Sequence, residues 1–131
     1  MQAAEPDHAE PALHSGRRQT TEILKRHGFC VLTEIDVQAT VKDKRGVEFR
    51  SCRILGACNA QMAYRALQAE DEIGTMLPSN VIVQQRGDGV VQVSAIDPVA
   101  SMQAIDNQRL AETAQNVRQM LNAAIEEIGV S

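Results

Sequence analysis

Cys58 is the residue of this chain best placed to do chemistry. It sits in the stretch Gly56-Ala57-Cys58-Asn59, just ahead of a residue type that caps helices well. Its sulfur would therefore lie beside backbone N–H groups that no helical carbonyl satisfies. Such a place lowers a thiol pKa and favours the thiolate, which could carry sulfur, sense oxidants or bind a soft metal. The plainer reading is a small buried filler at a strand-to-helix turn, because cysteine is among the most buried residue types. The same turn could hold an anion on its N–H groups, a property every helix start shares. Cys58 and Asn59 head the candidate ligand-binding residues, and Cys58 is the candidate catalytic residue.

Glu34, Asp36 and Asp97 complete the candidate set, as acids at the ends of strand-like runs. Carboxylates buried together can exchange protons with a substrate. On a strand edge the same residues are solvated and discourage edge-to-edge association. Asp97-Pro98 is also a plain turn opener. Cys30, Cys52, Cys58 and His27 lack the CxxC and HxxxH spacings of zinc sites, so no metal site is assigned. His27 lies at a helix end, which leaves no Ser-His-Asp arrangement. Gly87-Asp88-Gly89 is a hairpin turn rather than a phosphate loop, and no cofactor is assigned.

The elements that must position these residues follow from periodicity. Residues 1–14 carry Ala, Glu, Pro and His without a period and read as a flexible tail that holds His8 and His14. A first helix is expected from about Gly16 to His27, capped by Ser15 and stopped by Gly28, with a short apolar face of Thr20, Ile23 and Leu24. Residues 29–37 alternate as a strand, with Phe29, Val31, Thr33, Ile35 and Val37 on one face and Cys30, Leu32, Glu34 and Asp36 on the other. A short helical turn ended by Gly46 and a second strand over 47–55 come next. A helix follows, capped by Asn59, carrying Met62, Ala63, Ala66, Leu67 and Ile73, and closed by Gly74. Strands over 77–86 and 90–96 flank the Gly87–Gly89 hairpin.

The last helix has the strongest pattern. Asp106 or Asn107 caps it, Gly129 ends it, and Leu110, Ala114, Val117, Leu121, Ala124 and Ile128 make one continuous apolar seam. The order α-β-β-α-β-β-α is α+β. It packs as an antiparallel or mixed sheet with helices on one face, and leaves the other face half bare unless a partner covers it.

Composition limits what such a domain does. The 131 residues fit one domain, 15–131 after the tail. Phe29, Phe49 and Tyr64 are the only aromatics, too few for platforms that stack bases or sugars. The net charge of −4 and the scattered basic residues argue against nucleic acid, with Arg17, Arg18, Lys25 and Arg26 read as the solvated side of the first helix. No apolar run is long enough for a membrane helix, and no secretory signal opens the chain. An odd count of three cysteines agrees with a reducing, cytoplasmic setting.

From about Gly28 to the C-terminus the chain resembles the bacterial and archaeal domain of unknown function 302 family. The resemblance rests on VLTEIDVQAT, ILGACN and SAIDP, in that order. It implies a small α+β fold and a homodimer, and names no reaction. Members commonly have Pro after ACN, where this chain has Ala60, and a cysteine in LPCN, where it has Ser79. They also open with a strand ahead of the first helix, in place of the acidic tail here. The expected function is a homodimeric binder of a small molecule or anion near Cys58-Asn59. A thiol-dependent sulfur or redox carrier or enzyme using Cys58, and a structural interaction module, are the alternatives.

Overall fold

A computed structural model describes residues 2–5 and 10–130, with side chains assigned over residues 13–129. Among the described residues, five strands form one antiparallel sheet in the order β1-β5-β4-β3-β2, from β1 (Gln2–Glu5), β2 (Cys30–Asp36), β3 (Cys52–Cys58), β4 (Ser79–Gln85) and β5 (Val91–Ala95). Helices α1 (Glu10–Arg26) and α5 (Gln108–Val130) pack together on one face of it. Three short helices connect the rest: α2 (Val37–Arg45), α3 (Ala60–Ala69) and α4 (Pro98–Ser101), with a 3₁₀ turn at Asp71–Met76 after α3. The fold is α+β, as the order of elements implied.

The main core lies between the sheet and the two long helices. Ile23 and Leu24 of α1 and Leu121, Ala124, Ile125 and Ile128 of α5 close on Leu55, Val81, Val83, Val91 and Val93. The seam expected of the last helix is buried along its length, Val117 alone being half-buried. Its upper end serves a smaller cluster, where Leu110 meets Ala66 and Ile73. Asn107 is the cap, its Oδ1 accepting from the backbone N–H groups of Arg109 and Leu110. Gly129 does not end the helix but lies inside it.

The tail expected over residues 1–14 is corrected. Gln2–Glu5 pair with β5 as an edge strand, and α1 begins at Glu10, six residues before the expected start at Gly16. Pro11 disguises this start, since proline is tolerated in a first turn where its missing N–H has no partner to lose. Met1, residues 6–9 (His8 among them) and Ser131 lie outside the described residues.

Two other boundaries move. Asp36, the last residue of β2, also caps α2, accepting from Ala39 N at 3.0 Å, so the strand expected to reach Val37 stops one residue short and Val37 opens a nine-residue helix where only a turn was expected. The second strand, expected over 47–55, starts five residues later at Cys52 and runs on to Cys58. A register shift between Val31 and Thr33 breaks the expected alternation of β2. Val31 packs against the core, whereas Ile35, expected on the same face, is 49% exposed.

Candidate functional site

The strand that ends at Cys58 runs straight into the cap of α3. Asn59 Oδ1 accepts from Met62 N at 3.0 Å, and its Nδ2 donates to Gly28 O at 2.8 Å. One side chain thus starts α3 and ties it to the loop ahead of β2. Gly28 itself, at φ +90°, ends α1 in the left-handed region that glycine enters without strain.

Beside this turn lies a cavity of about 30 Å³. Ala57, Cys58 and Phe29 bound it on the sheet side, and Met62 and Ala66 of α3 on another. Leu77, Met102 and Val117 close it, and Pro98 and Thr113 complete the rim. The lining is predominantly apolar and, among the described residues, carries no charged side chain. A space of this size takes a few heavy atoms at most in the shape seen, but both methionines are flexible and can yield to a larger guest.

The thiol of Cys58 is not activated there. Burial pushes its pKa up, and charge on Cys30 pushes it further in the same direction. Asn59 takes the backbone N–H of Met62 for itself, and Cys58 closes β3 just ahead of that cap. Cys30 stands directly opposite Cys58 in the β2–β3 ladder. Ser79 pairs with Ala57 on the other side of β3.

The three acids are not brought to this cavity. Glu34 accepts from Arg17 Nη1 at 3.1 Å and from Arg53 Nη1 at 2.8 Å, one guanidinium on each oxygen. Arg53 also reaches Asp36 at 3.2 Å. Arg17 is therefore turned from the solvated face expected of it and links α1 to the sheet edge. Next to this group is a second cavity of about 110 Å³, polar, lined by His14, Arg17, Asp36, Gln38, Ser51 and Arg53. Arg17 Nε is buried there with no hydrogen-bond partner among the described residues. No sequence signal marks this cavity, because its parts come from four separate elements and loops. Asp97 accepts from Val99 N at 3.0 Å and pairs with Arg118 at 3.4 Å, which fastens α4 to α5. Its neighbour Pro98, not its carboxylate, meets the apolar cavity.

Among the described residues no cluster of three or more His, Cys, Asp or Glu side chains could hold a metal, and no helix is long and apolar enough to cross a membrane.

Comparison with known proteins gives a consistent picture. Residues 15–128 match the family described as domain of unknown function DUF302. A solved structure of similar fold, that of an uncharacterized conserved protein DUF302 from Bacillus stearothermophilus, is 25% identical. The match covers 95% of each chain with a TM-score of 0.82. No curated protein matches the chain.

Proposed function

Because the chain belongs to the domain of unknown function DUF302 family, whose name assigns no reaction, we propose a function from the site alone: a small-molecule-binding domain whose ligand enters at the Cys58–Asn59 turn. The observation that carries this reading is the apolar cavity between the end of β3, α3, α4 and α5. Concave, largely apolar sites with a few polar groups at the rim are where small ligands bind. With no basic side chain in the lining, an uncharged, mostly apolar ligand fits better than an anion. Asn59 and Thr113 supply the polar rim that would orient it.

Methyl NMR on the methionines tests this. Titration with benzene as a small apolar probe should shift the Met62 and Met102 methyl signals saturably, and Ala66→Leu, which fills the space, should abolish the shift. Signals that stay fixed at millimolar benzene would end the ligand-binding reading.

A homodimer is part of the same proposal, and a separate observation favours it. Ile35, Ile54 and Ile82 stand in one row across β2, β3 and β4, on the face away from α1 and α5. Ile35 is 49% exposed, and Leu32 on the adjoining edge is 63% exposed. A twofold pairing of this face with itself is the simplest cover, because such an interface needs only one self-complementary patch. Three free cysteines accord with a reducing, cytoplasmic setting.

A further inference from the structure

We propose that Cys30 and Cys58 are a redox-active dithiol, which a low-molecular-weight disulfide such as glutathione disulfide converts to an intramolecular cross-strand disulfide. The inference rests on strand pairing and is independent of the ligand reading above.

Cys30 and Cys58 are direct partners in an antiparallel ladder. Residues so paired have Cα atoms roughly 4.5–5.5 Å apart, inside the range of about 4.4–6.8 Å that disulfides span. Their side chains share one sheet face, with Cβ atoms roughly 4.5–5.5 Å apart against the 3.5–4.5 Å a disulfide adopts. The small remaining approach falls where the backbone can supply it, since Cys30 opens β2 and Cys58 closes β3. The bond from Asn59 Nδ2 to Gly28 O keeps the two chain ends together while they adjust. The thiols are close enough that charge on Cys30 raises the pKa of Cys58. Access differs between them: Cys30 is exposed, Cys58 half-buried, and Cys52 fully buried.

That difference sets the order of events. The deprotonated sulfur of Cys30 attacks one sulfur of glutathione disulfide and expels one glutathione thiolate. Cys58 then loses its proton, its sulfur attacks Cys30 Sγ, and the second glutathione thiolate leaves. Two protein thiols are oxidised by two electrons, the reagent is reduced to two glutathione thiols, and the two cysteine protons end on the departing thiolates. Because Cys58 also borders the apolar cavity, the bond would set the position of one wall.

The test uses the full, reduced chain. It is incubated with glutathione disulfide, quenched in acid, alkylated and mapped by mass. The expected product has lost two of three thiols, is lighter by two hydrogens, carries no glutathione, and yields one cross-linked pair of peptides containing Cys30 and Cys58. Dithiothreitol should restore all three thiols. Cys58→Ser should instead stop at a stable glutathione adduct on Cys30. Glutathione adducts that persist on Cys30 of the unaltered chain, a bond only between two chains, or three thiols untouched would each overturn the proposal.

Discussion

At Gly56 there is no room for a methyl group. A Cβ there would overlap Thr33 Oγ1 and lie 2.7 Å from Pro78 Cγ, so β2 and the Leu77–Ser79 segment can lie against β3 only because the residue has no side chain. Gly56→Ala should destabilise the fold by roughly 1–3 kcal/mol, the usual cost of overpacking, measured by urea unfolding. A change below about 0.5 kcal/mol would mean the neighbours simply move aside. Cys52 gives a pH effect of definite sign. Burial raises its thiol pKa, outweighing the opposing pull of Arg50. The folded state thus holds the proton more tightly than the unfolded one. Its contribution is complete below the unfolded value of about 8.5 and is lost as pH rises through the folded value. The stability lost between pH 7 and pH 10 should therefore be smaller in Cys52→Ala than in the unaltered chain. Equal losses would show that burial of the thiol is not felt.

Among the elements, α5 and the cap of α3 carry the most testable energy. Leu121 is fully buried in the main core, and Leu121→Ala should cost roughly 2–5 kcal/mol by chemical denaturation. Asn59→Ala removes a helix cap and the tie to Gly28 together, and should cost about 0.5–2 kcal/mol. Both features are legible in the amino-acid sequence because both are periodic or local: the α5 seam repeats over many turns, and the Asn59 cap involves only its near neighbours. What stayed hidden depended on distant parts of the chain. The four residues of β1 have no strand-like composition and are held by pairing with β5. Asp36 does end β2, but its second role as the cap of α2 shows only once Ala39 N is seen to need it. The opposition of Cys30 and Cys58 required the β2–β3 register, which a bulge at Leu32 puts beyond simple alternation. Glu34, expected as a candidate ligand group, is held instead by two arginines, one of them on α1.

For the whole molecule the isoleucine row makes assembly the decisive measurement. Light scattering at micromolar concentration should give about twice the chain mass of 14.3 kDa, and Ile35→Lys should return it to the single-chain value. A mass near one chain, unchanged by concentration, would exclude the dimer. The sheet order has a further consequence for how the chain comes together. The first strand in sequence pairs only with the last, β5, whereas β2, β3, β4 and β5 each find a neighbour that precedes or follows them closely. β1 can therefore dock only after β5, about ninety residues further along, has been made. Closing so long a loop for four ladder residues gives little return, so β1 should also be the first strand to detach. Hydrogen exchange should find the amides of residues 2–5 exchanging by local opening, well before those of β3 and β4, whose release requires the whole fold to come apart.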